Sequence, residues 1–117
     1  MLLAALLLQT AAPEGTSLVF FDWGKSELSR DATATLDALA AGGGPLLITG
    51  HSDRSGPAVH NRRASLERAR LVAEYLAGKG IARSAMTVTG AGEEQPLIAT
   101  ADGVREVQNR RVEIRRR

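Results

Sequence analysis

The sequence contains no cysteine. That absence excludes a disulfide framework, thiol catalysis, cysteine-ligated zinc and lipid attachment through a cysteine of this chain. Aromatic residues make up only 3% of it. With so few, no base-stacking platform is interleaved with the basic residues, and nucleic acid is not expected as a partner. No apolar run reaches the roughly 20 residues that a membrane-crossing helix needs. A large excess of one charge is missing too, since the net charge is only +2.

What remains is a chain of 117 residues, about one domain and long enough to bury one core without staples. Arg greatly outnumbers Lys, and the chain ends in NRRVEIRRR, a basic tail able to attract a polyanion. The start, MLLAALLLQTAAPEG, has the apolar region and small residues of a secretory signal. No basic residue precedes that run, and Pro13 follows the alanines closely. Residues 1–14 are therefore read as a truncated export signal or tail, and residues 15–117 as the folded domain.

From Ser17 onward, strand-like and helix-like segments alternate. SLVFFD (17–22) is apolar on both faces, which predicts an interior strand. SRDATATLDALAAGGG follows as a helix, with Ser29 as N-cap, Ala32, Leu36 and Leu39 on one face, and three glycines to end it. PLLITGH (45–51) predicts a second buried strand. The segment from Pro57 to Lys79 is the longest helix, with Pro57 in its first turn and Leu66, Ala69, Val72, Ala73 and Leu76 as its core stripe. AMTVTG (85–90) and RRVEI (110–114) predict two more strands. The order β-α-β-α-β-loop-β points to an α/β (α+β) two-layer sandwich: a small mixed four-stranded sheet with helices on one face.

The chemistry-bearing residues gather in GHSDRSG, residues 50 to 56. His51, Asp53 and His60 are the only metal candidates nearby, and no H-E-x-x-H or similar spacing joins them. Consecutive His51, Ser52 and Asp53 point apart and build no triad, and no G-x-S-x-G elbow is present. Neither a metal, a cofactor nor catalysis is expected. Two readings stay open: charge-based ligand binding, or structure alone. Asp53 and Ser55 suit side-chain-to-backbone turn bonds. Asn61 suits a helix cap. Arg62, Arg63, Arg68 and Arg70 suit solvated helix charges partnered by Glu67 and Glu74.

Four blocks in fixed order narrow the choice: GHSDRSGPAVHN, ASLERARLVAEYLAGKGI, TGAGEEQP and NRRVEI. Together they resemble the OmpA-like peptidoglycan-binding domain from about Ser17 to Ile114. LVFFDWGKSELS is similar to the lipoprotein branch, and DGVREVQNRRVEI to outer-membrane OmpA-type proteins. The resemblance implies a non-enzymatic, periplasmic, outer-membrane-associated module that holds the diaminopimelate of the cell-wall stem peptide. That ligand carries an ammonium and a carboxylate side by side. The family's acidic ligand residue falls on Asp53 and its arginine on Arg68. Its other matched positions are Asn61, Asp22, Asn109, Arg110 and Arg111. Of Arg110 and Arg111 only one can face the site, because strand neighbours point oppositely.

The chain departs from the family pattern at His60, commonly Tyr, and at Ala64, commonly Leu. An unbroken helix from Pro57 would also carry Arg68 roughly 16 Å from its start. Meeting Asp53 then requires a loop folded along the helix or an interruption near Ser65, a competent N-cap. Alanine at Asp53 or Arg68 is expected to abolish cell-wall binding and leave the fold intact. The alternative function is a protein–protein assembly domain, of stator or secretion-system type, that makes contact through the basic tail.

Overall fold

The computed structural model describes residues 15–117; the expectation for residues 1–14 lies outside the described residues. Four strands form one mixed sheet: β1 (Ser17–Phe20), β2 (Leu46–Gly50), β3 (Met86–Gly90) and β4 (Arg111–Arg116), in spatial order β1-β4-β2-β3. Strand β4 pairs antiparallel with both β1 and β2, whereas β2 and β3 run parallel. Two helices, α1 (Arg30–Ala41) and α2 (Ala58–Gly78), pack on the sheet and on each other. The two-layer, four-stranded mixed architecture is as the sequence pattern predicts. Parallel β2 and β3 need a crossover, and α2 supplies it. No helix of the described residues is long and apolar enough to cross a membrane.

Local chemistry starts the helices. Ser29 is extended, and its hydroxyl accepts from the Ala32 N–H at 3.1 Å, so α1 begins with a side-chain cap. Pro57 stands just outside α2 as its N-cap, at φ −66 and ψ 143, one position before the expected first turn. The core joins Leu36 of α1 and Val72 and Leu76 of α2 to Leu46, Ile48 and Ile114 of the sheet, all without solvent exposure. Burying each such side chain is worth about 1.5–3 kcal/mol.

One expectation changes. Strand β1 is an edge strand rather than an interior one. Its outward-facing Phe20 is exposed, and the apolar appearance of both faces came partly from Phe21, which is buried beyond the strand's end. Strand β4, in which Val112 and Ile114 alternate with charge, runs through the interior of the sheet. It tolerates this because Arg111 pairs with Glu113 on its own face, Nε and Nη2 meeting Oε2 at 2.8 and 2.6 Å.

Helix α2 is continuous through Ser65, so the interruption does not occur. Ser65 Oγ instead donates to the Arg62 carbonyl at 2.7 Å and accepts from the Gly92 N–H at 2.9 Å. The loop solves the distance problem. Strand β2 ends against the middle of α2, so close that a Cβ on Gly50 would overlap the Ser65 carbonyl. Residues 51–56 then run back along the helix to Pro57, and Gly56 makes the turn at φ +93, a conformation open to glycine. Asp53 is thus delivered beside the second and third turns of α2.

Candidate functional site

Three segments enclose a cleft of about 570 Å³: the turn after β1, the 51–56 loop with the facing side of α2, and the loop before β4. Asp53, Asn61, Arg68 and Arg110 all line it, and all are buried, Asp53 at 3%, Arg68 at 4% and Arg110 at 8% relative exposure. Residues this polar are seldom so buried unless paired. Their partners define the site.

Asp53 has no spare acceptor capacity. Its Oδ1 accepts from the Ser55 N–H at 3.2 Å and the Ser55 hydroxyl at 2.6 Å. Its Oδ2 accepts from Arg110 Nη1 at 2.7 Å and the Glu106 N–H at 3.1 Å. Burial opposes ionisation, but the donors of Ser55, Arg110 and Glu106 outweigh it and hold the carboxyl below its usual range. The turn bonds expected for Asp53 and Ser55 are therefore present, and a buried ion pair is added to them.

Arg68 reaches across to the turn after β1. Its Nε and Nη2 donate to the Lys25 carbonyl at 3.1 and 2.9 Å, and Nη2 reaches the Asp22 carbonyl at 3.5 Å. Its guanidinium carbon lies 5.3 Å from the centre of the Phe21 ring. Arg110 Nε donates to the Phe21 carbonyl at 2.9 Å. The two guanidiniums are thus moored to one short turn. Burial first, and then the Arg110 charge, lower the pKa of Arg68, while Asp53 and Glu67 act in the opposite sense. Among the described residues, Arg68 Nη1 and Arg110 Nη2 have no hydrogen-bond partner.

Asn61 does not cap α2. Its Nδ2 donates to the Gly56 carbonyl at 3.2 Å and to Glu93 Oε1 at 2.9 Å, pinning the 51–56 loop to the segment after β3. Arg54 adds to that clasp through Glu93 at 3.4 Å and Asp102 at 2.7 Å. Asp22 and Arg111 are not brought to the cleft. Asp22 offers a backbone carbonyl while its side chain is exposed. Arg111 faces away from Arg110, donating to the Gln95 carbonyl at 3.1 Å and pairing with Glu113. Strand alternation, which left one of the two arginines out of the site, leaves out Arg111. Asn109 is fully buried and braces the loop before β4, accepting from the Leu97 and Ile98 N–H groups at 2.8 Å each.

The two histidines are separated. His60 lines the cleft, whereas His51 is 1% exposed beside Arg111 and Glu113. Burial, then the Arg111 charge, push His51 down to about 4, against the pull of Glu113. It is neutral at pH 7, so its 3.8 Å approach to Glu113 is not an ion pair. Among the described residues no three metal-ligating side chains cluster.

Sequence reasoning overlooked Trp23 and Arg105. Trp23 is 49% exposed at the rim, donates from its indole to Ser55 Oγ at 3.0 Å, and carries the Arg105 guanidinium 3.5 Å from its ring centre. A lone tryptophan in a loop beside Asp22 was the available signal. The basic tail divides between interior and surface. Arg110 and Arg111 are buried, and Arg116 donates to the Gly43 and Leu39 carbonyls at the end of α1. Arg115, Arg116 and Arg117 remain exposed.

Known proteins share this frame. The peptidoglycan-associated lipoprotein of Burkholderia pseudomallei superposes with a TM-score of 0.75 at 25% identity, over 83% of this chain and 86% of that one. The periplasmic domain of Helicobacter pylori MotB, at 16% identity and a TM-score of 0.66, shares the fold. In sequence, the chain is 30% identical to the peptidoglycan-associated lipoprotein of Pseudomonas putida, over 94% of this chain and 69% of that protein. It is 36% identical to an outer membrane protein of Gluconacetobacter diazotrophicus, over 87% of this chain but 30% of that protein. The chain spans about a third of the length of the Gluconacetobacter diazotrophicus and Haemophilus influenzae outer membrane proteins it matches. Residues 20–110, which hold every wall of the cleft, match the OmpA family as a unit, and the chain belongs to that family.

Proposed function

We propose that this domain binds peptidoglycan non-covalently through the diaminopimelate of the stem peptide. In that role it tethers the outer membrane, or a protein in it, to the cell wall from the periplasmic side. The observation that carries the reading is the crowding of Arg68 and Arg110 on one turn, with Asp53 as the one buried carboxylate in the cleft. Like charges this close repel, and burial magnifies the cost. A ligand carboxylate seated on the two open guanidinium nitrogens supplies the missing counter-charge, in the geometry that arginine favours. An ammonium on the same ligand carbon then faces the carboxylates of the cleft, Asp53 and Glu67. Asn61 shapes the loop, and Asp22 contributes its carbonyl to holding Arg68. The names borne by the lipoprotein relatives point to the same partner.

Sedimentation with purified sacculi tests the reading. Wild-type protein is expected to pellet with the sacculi and to be released by free diaminopimelate. Arg68→Ala is expected to stay in the supernatant, and Arg68→Lys, which keeps the charge but not the fork, to pellet weakly. Circular dichroism checks that both variants are folded. Full retention of folded Arg68→Ala on sacculi refutes the assignment.

A further inference from the structure

Charge is divided between the two ends of the domain. The cleft end carries the carboxylates of Glu93, Glu94 and Asp102 on loops that close around residues 51–62. The far end is built from the chain's entry at Gly15, the 42–45 turn, the 79–85 turn and the last residues of β4. Two carboxylates border it, Asp37 and Glu74, and both are matched, by Lys79 at 3.4 Å and Arg83 at 2.8 Å. The surplus there is Arg115, Arg116 and Arg117, all exposed. They are not a loose tail. The Arg117 N–H donates to the Pro45 carbonyl at 3.2 Å, and Arg116 donates to the Leu39 carbonyl at 3.0 Å and to the Gly43 carbonyl. Among the described residues, the Arg115 and Arg117 side chains make no hydrogen bond and no ion pair. Guanidiniums fixed side by side without a carboxylate repel one another and attract an anionic surface. The antiparallel register also sets Gly15 and Thr16 beside Arg115 and Arg116. The chain therefore joins this basic end directly after its most apolar sequence, LLAALLL at residues 2–8.

We propose that this end rests on a membrane surface of anionic phospholipid, with Arg115, Arg116 and Arg117 on the lipid phosphates and the cleft turned away from the membrane. The planar guanidinium fork matches two phosphate oxygens at once. Basic residues beside an apolar segment are the pair of signals that an anionic lipid surface retains. That surface repels the carboxylates of the cleft end, so the division of charge orients the domain as well as attracting it. Strand β4 spans the distance, from Arg110 at the cleft wall to Arg116 at the lipid end. Nothing in this arrangement depends on diaminopimelate, so the cleft and the basic end fail or hold separately.

Vesicle flotation of the full chain tests this, with vesicles of phosphatidylcholine alone and of phosphatidylcholine with a third phosphatidylglycerol. Wild-type protein is expected to bind the anionic vesicles at least about thirtyfold more tightly, and less so as salt is raised. The double variant Arg115→Gln, Arg117→Gln is expected to lose about fivefold for each arginine removed. Arg116 stays in place because it ties β4 to α1, and an unchanged melting temperature verifies the fold. Sedimentation of the double variant with sacculi is expected to match wild type. Equal binding of wild-type protein to both vesicles overturns the proposal, as does undiminished preference in the double variant. Loss of vesicle binding in millimolar inorganic phosphate at constant ionic strength also overturns it, in favour of a small-anion site. Orientation has its own readout, since Trp23 is the only tryptophan and lines the cleft. Its fluorescence is expected to escape quenching by brominated lipids, and quenching would put the cleft end on the membrane and overturn the assignment.

Discussion

Replacing Asp53 with alanine should first be a stability experiment. The substitution strips the acceptor from Arg110 Nη1, the Ser55 hydroxyl and two backbone N–H groups, of Ser55 and Glu106. The Asp53 and Arg110 side chains are only 4% and 10% exposed, so solvent cannot take over. Removing one partner of a buried pair costs about 3–5 kcal/mol, because the other charge is left uncompensated. Against a total of about 5–15 kcal/mol that is at least a fifth of the stability, and roughly 12–20 °C in melting temperature. The structure therefore changes the expectation that Asp53→Ala spares the fold. Urea denaturation should show the loss in the single variant. The double variant Asp53→Ala, Arg110→Met should recover part of it, since no charge is then stranded. A single variant within about 1 kcal/mol of wild type would refute the buried-pair argument.

His51 binds a proton near pH 6.5 when unfolded but only near 4 when folded. The unfolded chain therefore holds more protons between those values, and stability should fall by roughly 3 kcal/mol as pH drops from about 6.5 to 4. Urea midpoints measured across that range should decline in wild type and flatten in His51→Gln; an equal decline in both would discard the idea. Asp53, also lowered, adds acid sensitivity only below that window. Gly50→Ala should cost at least about 1–3 kcal/mol, because the added methyl meets the Ser65 carbonyl and backbone cannot swing aside. A melting temperature equal to wild type would mean that β2 and α2 are not so closely apposed.

The local pattern of the chain was enough to place both helices, all four strands and the packing stripe of α2. Each rests on short-range rules: a serine that caps, a proline that opens, glycines that stop, and apolar residues at helical or strand spacing. It also marked Asp53, Arg68, Asn61 and Arg110 as candidates, through the blocks that contain them. What it could not supply was sheet order, since β1 looked interior until pairing put it at the edge and β4 in the middle. Burial of Arg111 depends on Glu113 two residues away across a shared face, and a period-2 pattern reads that pair as solvent charge. Nor could sequence distance show that Gly50 meets Ser65, which alone brings the loop alongside Arg68. The saturation of Asp53 is likewise tertiary. It is one acid among several in a string of letters, but the fold fills it with donors from two segments, the 51–56 loop and the loop before β4. Hydrogen-bond capacity is filled in space, and only the folded chain says by whom.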